Sequence, residues 1–186
     1  MRIWGDVLGA LFCVAAMAAG AEVHSGGADM NWQAVLHERI ALYGHRNWIV
    51  VADSAYPAQS RAGIETLVAD ATQQQVVETV LHELAAAPHV RPTVLLDKEL
   101  EYLTDADVRG IEHYREQLGT LLPHGKATSL PHEEIIHKLD SAAETFRILI
   151  IKTNLTMPYT SVFLRLDCAY WGDDAEEKLR KRMAGR

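Results

Sequence analysis

The sequence predicts an α/β protein: a single layered domain with a central, mostly parallel sheet flanked by helices. Three observations carry that reading. Trp48–Ala52 (WIVVA) is a short continuous apolar run that reads as a strand buried on both faces, Thr93–Leu96 (TVLL) reads as another short strand, and Phe146–Ile151 (FRILII) as a buried one. Between them lie stretches whose apolar residues recur at helical spacing. The 186 residues, 48% hydrophobic and 23% charged, make one domain, long enough for a core without staples.

The elements follow in order. Asn31 can cap a helix through Trp32, Val35, Leu36 and Ile40, ended by Gly44. The strand Trp48–Ala52 comes next and gives way to loop chemistry at Asp53-Ser54-Ala55-Tyr56-Pro57. A second strand is expected at Ile64–Val68. From Thr72, the spacing of Val76, Val77, Val80, Leu81 and Leu84 predicts an amphipathic helix closed before Pro88. After the strand Thr93–Leu96, the stretch Leu103–Leu118 reads as one helix opening at Thr104, with acidic residues in its first turn as the macrodipole favours. Pro123, Gly125 and Ser129 make Leu121–Leu130 a connection, and Ser129 or Pro131 starts a helix through Ile135, Ile136 and Leu139. A strand at Phe146–Ile151, a bend at Met157-Pro158-Tyr159 and a strand at Val162–Leu166 complete the domain.

The flanks read differently. Arg2 precedes the apolar run Leu8–Ala19, and Ala19-Gly20-Ala21 fits the small-x-small pattern of signal peptidase. The run is shorter than the roughly 20 residues of a membrane span. Residues 1–21 are therefore expected to be a signal peptide, 30–172 the α/β domain and 173–186 a charged C-terminal tail, helical or frayed. Export to the periplasm or beyond is favoured, with no membrane attachment after cleavage; a retained N-terminal anchor is the alternative. Cleavage would remove Cys13 and leave Cys168 alone, a buried structural thiol with no intrachain disulfide to form. A formal charge of −7 gives no basic footprint for nucleic acid.

Several chemistries fail on spacing. In His132-Glu133-Glu134-Ile135-Ile136-His137 the histidines stand at i and i+5, about 140° apart on a helix, whereas the zinc motif needs i and i+4. No metal site is expected. Neither a Gly-x-Gly-x-x-Gly nor a P-loop pattern occurs, so no nucleotide cofactor is implied, and no Gly-x-Ser-x-Gly elbow supports a hydrolase. Asn154-Leu155-Thr156 matches a glycosylation acceptor, a three-residue pattern of little specificity.

Two polar groups remain. His45, in Gly44-His45-Arg46-Asn47, stands where a helix yields to a strand and can serve as acid or base near neutral pH, unless it is an ordinary surface histidine. Asp53 lies at the strand's other end, up to about 26 Å away along an extended chain, too far for one tight dyad unless a neighbouring subunit intervenes. Pro158-Tyr159-Thr160-Ser161 is a dense set of hydroxyls between two apolar strands, able to hydrogen-bond a sugar-like ligand or to form an ordinary turn.

In sequence order these pieces resemble the ribose pyranase and fucose mutarotase family (RbsD/FucU-like). That family carries Gly-His-x-Asp, an apolar strand and Asp-x-x-x-Pro. Here Gly44-His45-Arg46-Asn47, WIVVA and Asp53 to Pro57 keep the same spacing. The family's later Thr/Ser-x-His-Glu helix start is resembled by Leu130-Pro131-His132-Glu133. Its Pro-Tyr-x-Asn turn before the last strand is resembled by Pro158-Tyr159-Thr160-Ser161. The resemblance spans Trp32 to Trp171. Asn47 stands where the family has Asp, and Ser161 where it has Asn.

The resemblance implies an α/β fold and a homo-oligomer with active sites at subunit interfaces. It also implies a cofactor-independent isomerase that interconverts anomers or ring forms of a monosaccharide. His45 and Tyr159 would then be catalytic, with Asp53, His132, Thr160 and Ser161 binding the sugar. His137 rivals His132, since counting back from Tyr159 without gaps lands on it; the helix-start motif favours His132. A non-catalytic sugar-binding or scaffold protein of the same fold is the alternative, favoured by the changes at Asn47 and Ser161.

Overall fold

In the computed structural model, which describes residues 31–122 and 127–185, helix α1 (Trp32–Leu42) leads into strand β1 (Trp48–Ala52). Then come β2 (Ile64–Val68), α2 (Gln73–Ala86), β3 (Val90–Asp97), a short 3-10 turn (Lys98–Glu101) and α3 (Ile111–Leu121). The chain continues through β4 (Ala127–Leu130), α4 (His132–Ala142), β5 (Ile148–Lys152), β6 (Val162–Cys168) and α5 (Asp173–Ala184). The leader expected at 1–21 lies outside the described residues.

Local chemistry sets the helix starts. The Asn31 side chain accepts from the N–H groups of Gln33 and Ala34, satisfying two donors that an α-helix leaves free at its start. Thr72 and Gln75 form a reciprocal capping box at the head of α2. The region read as a single helix from Thr104 is divided instead. Thr104 and Asp107 close a turn, Gly110 adopts φ +87° and α3 begins only at Ile111. A left-handed residue cannot continue a helix, and Gly110 takes that conformation without a Cβ penalty.

The six strands among the described residues form one sheet in the order β2-β5-β1-β6-β3-β4. β5 pairs in parallel with β1 and β2, and β3 in parallel with β4, while β6 runs antiparallel to both β1 and β3. A mixed sheet results, with β6 alone reversed. β3 extends further than expected and includes Pro92. β4 pairs only from Val94 onward, so the strand has an open side at the proline, where proline is tolerated. β4 itself falls in the stretch read as a connection; its four residues ATSL have no apolar run to betray a strand.

Side chains of β1 alternate between two cores. Ile49 and Val51 join Leu36, Val77 and Leu118 from α1, α2 and α3 on one face. Trp48, Val50 and Ala52 pack with Ile135 and Leu139 of α4 on the other. All five β1 residues are buried, as the unbroken apolar run requires. The tail is helical as α5, with no buried residue, and Cys168 closes β6 as a half-buried free thiol.

Candidate functional site

Strand polarity decides which side chains meet. Val162, the first residue of β6, is flanked by Val51 of β1 and Leu96 of β3. The carboxyl ends of β1 and β3 therefore finish beside the start of β6. Asp53 and Asp97 come to flank Thr160 and Ser161 at one end of the central strands. Ligands of open α/β sheets bind in such crevices outside the strand ends.

Asp97, the last residue of β3, is 1% exposed. Its Oδ1 lies 3.1 Å from Nδ1 of His132, and its Oδ2 is buried without a partner among the described residues. Burial pushes the carboxyl up from 3.8 to about 6; the His132 hydrogen bond and charge oppose the shift, and Glu99 and Asp53 add to it. His132 is the first residue of α4. Its backbone N–H donates to both carboxylate oxygens of Glu99 at 3.1 Å, placing negative charge at a helix N-terminus. The Tyr159 ring stands edge-on to the His132 ring, centroids 5.6 Å apart, on a backbone at φ +58°. For a tyrosine that left-handed conformation is strained, a condition that clusters at functional positions.

Asp53 accepts the Ala55 N–H at 2.8 Å through Oδ1, and the Ser161 hydroxyl donates to its Oδ2 at the long distance of 3.5 Å. Tyr56 is buried close by, its phenol pushed up first by burial and then by the charges of Asp97, Asp140 and Asp53. Among the described residues no lysine or arginine pairs with Asp53 or Asp97. The cluster is acidic and rich in hydrogen-bond acceptors, with His132 as its basic group.

The other expected residues are placed differently. Thr160 is fully buried, with its hydroxyl donating to the Met157 carbonyl at 2.8 Å. Its own carbonyl accepts from Gln73 Nε2 and the Tyr114 hydroxyl, each at 2.8 Å. Gln73 also donates to the Val51 carbonyl and accepts the Thr153 hydroxyl, so one amide ties β1, β5 and the approach to β6 together. Thr160 thus serves the floor of the site through its backbone. His137 is exposed, about a turn and a half beyond His132 along α4.

His45 is not brought into this cluster within one chain. It precedes β1, whose first residue pairs with Arg165 far along β6, so it lies at the opposite end of the sheet. There it lines an open cleft of about 760 Å³ with Arg46, Arg91, Arg165 and Trp171. Asn47, in the same loop, accepts the Gly44 N–H and donates to the Arg147 carbonyl, strapping the entry to β1.

Asp97, Glu99, Tyr56 and Gln73 were not among the expected site residues. Asp97 had a readable signal, because TVLLD ends an apolar run on a carboxylate just as WIVVAD does at Asp53. Gln73, one of three consecutive glutamines, had none.

Residues 31–168 match the model of the family described as RbsD / FucU transport protein. No curated protein matched the chain. RbsD of Bacillus subtilis, solved in complex with D-ribose, is similar over 78% of this chain and 98% of its own, with a TM-score of 0.51 and 19% identity. A fucose mutarotase from Streptococcus pneumoniae, solved with L-fucose, has a TM-score of 0.48 and 18% identity over 70% of this chain and 89% of its own. At 19% identity the likeness to the Bacillus protein establishes the shared fold.

Proposed function

From the premise that this chain belongs to the RbsD/FucU family, we propose that it binds a neutral monosaccharide and interconverts its anomers or its pyranose and furanose forms. The observation that carries the proposal is the cluster Asp53, Asp97, His132, Tyr159 and Ser161 at one end of the central strands: two carboxylates, an imidazole and hydroxyls. D-Ribose in the Bacillus subtilis RbsD structure supports a ligand of this class. Two carboxylates with no lysine or arginine partner among the described residues favour a neutral polyol over a sugar phosphate, which would be repelled.

The chemistry needs no cofactor. A base takes the proton of the anomeric hydroxyl and the C1–ring oxygen bond breaks, its electron pair passing to the ring oxygen. An acid protonates that oxygen, leaving an open-chain aldehyde that recloses by the reverse steps. Groups that titrate near the working pH suit both transfers, and each contributes about 10²–10⁴-fold. Asp53 and Ser161 orient hydroxyls, and His132 with Tyr159 faces the anomeric end. In this proposal His45 enters from a neighbouring copy of the chain, which makes the functional unit a homo-oligomer. We also propose export, tested by N-terminal sequencing of the mature protein, which should begin near Glu22.

The position of His45 favours one second reading, sugar binding without turnover in any state where copies do not meet. NMR saturation transfer on D-ribose and a panel of pentoses, hexoses and deoxysugars decides between them. Accelerated anomer exchange supports the isomerase, binding by calorimetry without acceleration supports the second reading, and neither sinks both.

A further inference from the structure

We infer that Asp97 is the positioning residue that makes His132 an acid–base group, holding the ring proton on Nδ1 and leaving Nε2 for the ligand. The inference rests on the sugar-site reading only for the identity of that ligand. Its geometry stands without it.

An ionised carboxylate can only accept a hydrogen bond, so the His132 nitrogen 3.1 Å from Oδ1 must donate. In a neutral imidazole that assigns the proton to Nδ1 and the lone pair to Nε2. Asp97 has no competing use. Its Oδ2 is buried without a partner, and His132 is the one side chain among the described residues that hydrogen-bonds it.

Helix capping does not explain the carboxylate either. Glu99 already accepts the His132 backbone N–H with both oxygens, fixing the start of α4 independently of the ring. The imidazole is thus anchored at its backbone by Glu99, at Nδ1 by Asp97 and along its edge by Tyr159. Nε2 has no hydrogen-bond partner among the described residues. A buried carboxylate with one orphan oxygen is costly to keep in a core. An asparagine would fill the same space, but its amide could donate to Nδ1 and invert the tautomer. Only the carboxylate both sets the tautomer and stabilises the imidazolium formed when Nε2 takes a proton from the anomeric hydroxyl, the division of labour of a carboxylate–histidine pair.

The test reads the ring directly. In protein labelled with ¹⁵N-histidine at about pH 8.5, where imidazoles are neutral, two-bond ¹⁵N–¹H correlations report which nitrogen carries the proton. Wild type should hold His132 as Nδ1–H. Asp97→Asn should shift it toward Nε2–H and lower the D-ribose exchange rate about 10²-fold with little change in ribose affinity. Asp97→Glu, which keeps the carboxylate on a longer arm, should retain the Nδ1–H ring. An Nε2–H ring in wild type, which needs neither a variant nor a sugar to observe, overturns the inference. So does an Asp97→Asn protein that keeps both the Nδ1–H ring and the wild-type rate, or an Asp97→Glu protein that loses the tautomer as Asn does. A wild type with the Nδ1–H ring but no exchange on any sugar would refute the sugar reading and leave the role of Asp97 standing.

Discussion

The two ends of the sheet are made by the same strands and carry opposite chemistry. Where β1 and β3 finish, Asp53, Asp97 and Ser161 lie partly or wholly buried, and each is fixed by a neighbour. Where β1 begins, His45, Arg46 and Arg91 are exposed around an open cleft. The first end has a density of contacts that holds its side chains in place. At the second, Asp167 holds Arg165 and the Phe146 ring lies under Arg46, while among the described residues no side chain hydrogen-bonds His45 or Arg91. The contrast teaches that spacing along one strand is a poor guide to a site. Two residues eight apart, His45 and Asp53, are divided by the strand, while Asp53, Asp97 and Ser161 are united by the reversal of β6.

The sharpest way to break the comparison is to ask whether the two ends need each other. His45→Ala should lose about 10²–10⁴-fold in anomer exchange, and so should His132→Ala. Co-refolding the two inactive chains should restore about a quarter of the wild-type rate, because random pairing leaves that share of interfaces with both histidines intact. No recovery, or full activity of His45→Ala alone, would detach the exposed end from the reaction.

A smaller effect tests the buried end alone. The Asp97 carboxyl is raised from 3.8 to about 6 in the fold, so the folded state binds its proton more tightly than the unfolded chain. Its favourable contribution is complete below about pH 4 and disappears as pH rises through about 6, a difference of about 3 kcal/mol. Asp97→Asn should therefore gain on wild type by up to about 3 kcal/mol between pH 4 and pH 8 in urea unfolding. An unchanged difference across that range would mean that the carboxylate is ionised without penalty.

Next in size, Gln73→Leu should destabilise by about 1–3 kcal/mol, because acceptors at Val51 and Thr160 lose a buried donor. Chemical denaturation measures it. The smallest effect compares the two non-glycine residues at positive φ among the described residues, Arg46 (+73°) at one end and Tyr159 (+58°) at the other. Glycine at either position should relieve strain by about 1 kcal/mol at most. Only Tyr159→Gly should also lose sugar turnover, separating strain kept for function from strain in a turn.

Much of the fold was legible because burial leaves a pattern. WIVVA had to be a strand covered on both sides, the Asn31 cap announced α1 and the apolar spacing from Val76 to Leu84 announced α2. Gly110 cut a helix that composition alone ran together, and edge strand β4 had no apolar run to mark it. At the candidate site, local motifs pointed to Asp53, His132, Tyr159 and Ser161, since each sits in a turn or at a helix start. Asp97 and Gln73 depend on which strands become neighbours, a property of the sheet order that no short segment encodes. Thr160 reads as a ligand group in the chain and is turned inward by the hydrogen bonds of α2 and α3.

The most direct measurement is D-ribose anomer exchange by saturation transfer, with wild type and His132→Gln side by side at neutral pH. If the buried end of the sheet holds the acid–base chemistry, wild type accelerates exchange and the variant loses about 10²-fold or more of that acceleration. Equal acceleration by the two proteins would contradict it.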